Sequence, residues 1–175
     1  MQKTNICLGL DISSTVVGYC FSSSKTKILS AGFVDIKKQT DVTSKAHYVA
    51  ECIDKVDYSP DIIIVEDSLS GFGGGRTSQQ TIVKLAKCNA VISYVIEALY
   101  NIPIEHINVS TLRKSVFGKS REKGLDSKTF VRNNIEKMLD LSEFVHYNNK
   151  NNYDKKNYDM LDAVVASLYH WYSVK

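Results

Sequence analysis

N-I-C-L-G-L-D-I, residues 5–12, is a short continuous apolar run that closes on an acid and a polar cluster. An unbroken apolar stretch of this length suits a strand buried on both faces, at the centre of a sheet. Ser13-Ser14-Thr15 follows as a turn. Residues 16–22 and 27–35 read as two further strands, joined by the polar turn Ser23-Ser24-Lys25-Thr26. Three successive strands with tight turns predict an antiparallel meander.

Beyond the meander the period changes. Val42, Ala46, Val49, Ala50, Ile53 and Val56 recur at helical spacing, with Asp41 placed to cap the helix. Ser59-Pro60 breaks the chain, and D-I-I-I-V-E (61–66) is again a buried strand that ends in an acid. A loop over 68–78 holds Gly71, Gly73, Gly74 and Gly75, and a long helix is predicted over 79–100. A strand at 102–109 follows, then helices over 110–117, stopped by Gly118, and over 127–139. The Asn-rich stretch 146–158 reads as loop, and a helix over 158–172 completes the pattern. The order β-β-β-α-β-α-β-α-α-α predicts an α/β fold in which a mixed sheet is covered by helices.

Composition bounds the function. The 175 residues, 43% hydrophobic and 23% charged, fit one globular domain over 1–175 and exclude wholesale disorder. The absence of a run of ~18 apolar residues excludes a membrane-spanning helix. Met1-Gln2-Lys3-Thr4 leads into a strand and not into a signal-peptide pattern, so an intracellular protein is expected. The net charge of +3 neither demands nor excludes nucleic acid. Cys7, Cys20, Cys52 and Cys88 lack C-x-x-C spacing and sit in apolar segments, which predicts free thiols.

The acids carry the chemical signal. Asp11 lies in the most hydrophobic strand, and Glu66 ends the second one. Asp159 and Asp162, three apart, share one side of the last helix. Each has a structural reading of its own. Asp11 suits a turn at a strand end, and Glu66, like Asp67, suits the loop that follows. Asp159 suits an N-cap, with Asp162 in the first helical turn. Together, four carboxylates on buried or half-buried elements carry a desolvation and repulsion cost that a divalent cation relieves, so metal chemistry accounts for the set better.

L-G-L-D-I-S-S-T-V-V-G-Y (8–19) resembles the opening strand and turn of RuvC-type Holliday junction resolvases. I-I-I-V-E-D (62–67) resembles their second acidic segment, and D-M-L-D-A-V-V-A-S-L-Y-H (159–170) their closing acidic helix. The resemblance implies an RNase H-like fold, a five-stranded mixed sheet with helices on both sides. It implies a homodimeric, structure-selective endodeoxyribonuclease of DNA recombination and repair that uses two Mg²⁺ or Mn²⁺ ions. Such an enzyme nicks four-way junctions symmetrically, leaving 5′-phosphate and 3′-hydroxyl ends. A cytoplasmic setting in a bacterial or phage-infected cell goes with this reading.

Position by position, Asp11, Glu66, Asp159 and Asp162 match the family's catalytic and metal-binding tetrad. The segment Val116–Lys119 and then Lys128 resembles a region with functional lysines, so Lys119 and, second, Lys128 are the candidates to offset charge on the phosphate. The expected DNA contacts are Phe72 and Arg76 in the glycine loop, and Arg113, Lys114, Lys119, Arg121 and Lys123. Relatives often carry an aromatic three residues past the glutamate. Here that residue is Leu69, and the nearest aromatic is Phe72.

Three rivals share parts of this pattern. A nuclease of broader branched-DNA or RNA–DNA hybrid specificity would carry identical acids. D-I-S-S-T-V-V-G also resembles the first phosphate loop of sugar-kinase, actin and Hsp70 ATPases, which need two such domains. A non-catalytic DNA-binding module leaves the four buried acids without a reason.

Overall fold

The computed structural model describes residues 5–67 and 78–174. Phe72 and Arg76 lie outside the described residues. The strands are β1 (Cys7–Ile12), β2 (Val16–Ser22), β3 (Ile28–Asp35), β4 (Ile62–Asp67) and β5 (Ile104–Asn108). They form one sheet in the order β3-β2-β1-β4-β5. β1 pairs antiparallel with β2 and parallel with β4, β2 pairs antiparallel with β3, and β4 pairs parallel with β5. The meander and the mixed sheet read from the sequence are both present, and the apolar run that opens the chain is the central strand.

Five helices cover the sheet: α1 (Val42–Asp54), α2 (Gln79–Tyr100), α3 (Val109–Phe117), α4 (Ser127–Met138) and α5 (Asn157–Ser173). Local chemistry sets their ends. Asp41 and Ser78 accept from the backbone of Ser44 and Thr81 at the starts of α1 and α2. Gly118, at φ 75°, ends α3, and its N–H donates to the Lys114 carbonyl. The Asn-rich segment is not wholly irregular, since Tyr147 and Tyr153 form an isolated antiparallel bridge. Among the described residues, no helix is long and apolar enough to cross a membrane. All four cysteines are free thiols.

Two apolar cores flank the sheet. Leu8, Leu10, Ile12, Val17, Ile63 and Val65 pack with α1 and α2 on one face. Cys7, Cys20 and Ile64 pack with α3, α4 and α5 on the other. The aromatic residues near the C-terminus serve this packing, and the Trp171 indole N–H donates to Ser22 Oγ at 2.8 Å.

α5 lies unusually close to β1 and β2. A Cβ added at Gly9 would fall 2.3 Å from the Ala163 carbonyl oxygen, and one at Gly18 would fall 2.0 Å from that of Asp159. Backbone holds both positions, so no side chain can give way. Gly18→Ala is expected to push the first turn of α5 off the sheet and to cost about 1–3 kcal/mol. Thermal unfolding checks this; an unchanged Tm refutes the close approach.

Candidate active site

Side-chain alternation along two neighbouring strands decides where the acids point. On β1, Leu8, Leu10 and Ile12 face α1 and α2, while Cys7 faces the α5 side. A period of two therefore turns Asp11 toward α5. On β4, Ile63 and Val65 face α1 and α2 and Ile64 faces α5, so Glu66 turns the same way. The parallel register pairs Leu10 with Val65, and the next step along both strands sets Asp11 beside Glu66. Gly18 is the antiparallel partner of Asp11, and α5 presses on it with Asp159. Asp159 and Asp162 thus approach the strand acids from above the sheet.

The structure separates Asp159 from the capping role that its sequence also suits. α5 begins at Asn157, and Lys156 occupies the N-cap without a side-chain hydrogen bond. Asp162 lies one turn further in and is largely covered.

The four carboxylates act on one another. Burial, followed by the charges of Glu66, Asp162 and Asp159, pushes Asp11 well above the ordinary aspartate range. Burial, then Asp162, Asp159 and Asp67, pushes Glu66 up to about 8, against the pull of Arg113. Burial raises Asp162 despite Arg113 and Lys128. Burial also raises Asp159, opposed by Lys128 and Lys37.

A carboxyl raised by folding binds more protons in the folded state than in the unfolded one. Its contribution is therefore full below the unfolded value of about 4.3 for Glu and is lost as the pH climbs toward the folded value. In EDTA, the Tm of the wild type relative to that of Glu66→Gln is expected to fall between pH 6 and pH 8. Millimolar Mg²⁺ should recover the loss by binding the ionised form. A Tm difference that stays flat across that window, with and without Mg²⁺, refutes the coupling.

Among the described residues, Arg113 is the basic residue that hydrogen-bonds to this cluster. From α3, its Nη2 donates to Asp162 Oδ1 at 3.0 Å and its Nη1 donates to Ser127 Oγ at 2.6 Å, at the start of α4. Its side chain is 11% exposed, and its buried Nε has no hydrogen-bond partner among the described residues. The sequence placed Arg113 on a phosphate track. The register that sets Glu66 against Ile107, with α3 starting two residues later, carries it to the acids.

The other basic candidates separate. Lys128, from the first turn of α4, reaches Asp159 and Asp162 with its charge, and its amine lies over the Tyr158 ring at 5.1 Å. Lys119 pairs with Glu122 at 2.5 Å on the surface, over the Phe130 ring. Lys114, Arg121 and Lys123 are exposed on or just beyond α3.

The donor set consists entirely of carboxylate oxygens, as hard divalent cations require. Among the described residues, no three His, Cys, Asp or Glu side chains close around one point, and one oxygen of Asp162 is held by Arg113. The fit lies in the donor chemistry and in the mutual repulsion, which a cation relieves.

No family model matches the chain, and no curated protein matches it. Solved structures do. RuvC of Thermus thermophilus in complex with a Holliday junction substrate matches with a TM-score of 0.66 at 12% identity, over 96% of this chain and 93% of that one. The yeast mitochondrial Holliday junction resolvase Ydc2 matches with a TM-score of 0.57 at 15% identity, over 97% of this chain and 78% of that one. The fowlpox virus resolvase, complexed with Holliday junction DNA, matches with a TM-score of 0.55 at 18% identity, over 97% and 99%. The chain therefore has the RNase H-like fold of RuvC-type resolvases, and its four acids stand at one end of that sheet.

Proposed function

We propose that this protein is a metal-dependent, structure-selective endodeoxyribonuclease that resolves four-way DNA junctions. The observation that carries the reading is that Asp11, Glu66, Asp159 and Asp162 lie at one end of the sheet, near enough for their charges to act on one another. These carboxylates raise one another's affinity for protons inside a fold shared with three junction resolvases. A purely structural role leaves four such mutually repelling acids without a reason.

In this reading Asp11, Glu66, Asp159 and Asp162 would hold the divalent cations through their carboxylate oxygens. When bound, Mg²⁺ or Mn²⁺ supplies an attacking water of lowered pKa and neutralises charge on the leaving 3′ oxygen. The protein's own groups position and balance. Arg113 fixes one oxygen of Asp162, leaving the other to a ligand. Lys128 sets positive charge beside Asp159 and Asp162, where a scissile phosphate adds negative charge. Cleavage leaves a 5′-phosphate and a 3′-hydroxyl.

Symmetric nicking of a four-way junction needs two sites related by a two-fold axis, so the working form is a homodimer.

The test is incubation with labelled four-way junction, fork, flap, duplex and RNA–DNA hybrid, with Mg²⁺ or with EDTA. Paired symmetric nicks confined to the junction are expected. Equal cutting of forks, flaps or hybrids supports the broader nuclease instead, and no metal-dependent cutting of any substrate refutes both.

A further inference from the structure

A basic cleft opens beside the acid cluster, on the side away from Lys119, Arg121 and Lys123. It is lined by Lys37, Lys38, Gln39, Thr40 and Asp41 after β3, by Lys45 on α1, and by Lys84 and Lys87 on α2, and encloses about 440 Å³. Five lysines face a single carboxylate in a chain whose net charge is only +3, so positive charge is concentrated here. That one carboxylate is already engaged, because Asp41 accepts from Ser44 N at 2.9 Å and from Ser44 Oγ at 2.6 Å.

Lys37, Lys38, Lys84 and Lys87 are exposed, and none forms a salt bridge among the described residues. Keeping unpaired like charges together costs free energy that a polyanion relieves. The cleft is also tied to the site. Lys45 Nζ donates to the Ser14 carbonyl at 2.5 Å, three residues past Asp11, and the charge of Lys37 reaches Asp159. Lys84 and Lys87, one turn apart, extend the same charge along α2.

We infer that Lys38, Lys84 and Lys87 form a phosphate track that seats the backbone of a duplex DNA arm leaving the cleavage site along α2. This rests on the junction-cleaving reading above and adds to it a binding surface distinct from the segment after α3. Compact ammonium groups on flexible stems suit sequence-independent phosphate contact, so the track orients an arm without reading bases.

The experiment compares Lys38→Ala/Lys84→Ala/Lys87→Ala with a charge-matched control, Lys25→Ala/Lys27→Ala/Lys55→Ala, at the opposite end of the sheet. Affinity for a four-way junction and for a 30-base-pair duplex is measured in Ca²⁺ from 50 to 300 mM salt. The track variant should bind both about 10- to 100-fold more weakly at 0.1 M salt. Its slope of log K against log salt should be shallower by about 2–3, close to 0.9 per lost contact. Single-turnover cleavage at saturating junction should match the wild type. Affinity and slope equal to those of the control overturn the track while leaving the nuclease reading intact. Failure of the wild-type protein to bind either DNA overturns that reading, and the track with it.

Discussion

Asp11→Asn is expected to abolish metal-dependent cleavage, by on the order of a thousandfold or more, while junction binding survives. Asp11 stands on the central strand between Glu66 and the two helix acids, and all three raise its proton affinity. It is the acid set deepest in the sheet, on the strand paired on both sides. The amide keeps the shape and hydrogen-bonding reach of the side chain but loses the charge that holds a divalent ion. Because Asn removes a buried, repelled charge, the metal-free variant should unfold at a Tm equal to or above that of the wild type at pH 8. The two readouts separate lost chemistry from lost folding. Cleavage that persists in Mg²⁺ with a clean variant preparation refutes the role of Asp11.

Arg113→Ala should have the second largest effect, about 10- to 100-fold on the rate. Arg113 is a positioning residue in this arrangement, holding Asp162 from α3 while it bonds Ser127 on α4. A merely structural arginine and a positioning one differ in the pH profile. The guanidinium lowers the proton affinity of Asp11, Glu66 and Asp162. Its removal raises all three further, so the acid limb of kcat/KM should move to higher pH. Arg113→Lys keeps the charge but not the two-pronged geometry. It should restore the acid limb and recover only part of the rate. An acid limb that stays in place in Arg113→Ala, with the rate lost, assigns the residue to stability alone.

Much of the architecture was legible in the chain because periodicity reports burial directly. The continuous apolar runs at 5–12 and 61–66 became the neighbouring parallel strands β1 and β4. The helical spacing from Val42 became α1, capped by Asp41 as read. Gly118 ended α3 as its position implied, since φ 75° suits a residue without a side chain. The boundary at α5 moved by one residue, because Lys156 takes the N-cap without side-chain help.

What the amino-acid order determined by itself was the set of elements and the acids they carry. A strand or helix announces its buried face through local spacing, and a carboxylate in an apolar run marks itself by its desolvation cost. Contact between distant segments was decided only by the tertiary structure. The pairing of Leu10 with Val65 sets Asp11 beside Glu66, and two glycines let α5 descend far enough to add Asp159 and Asp162. The β4–β5 register delivers Arg113 to the acids, while Lys119 turns to Glu122 on the surface. No local spacing encodes these meetings. They depend on sheet register and on how closely helices pack, which are properties of the assembled core.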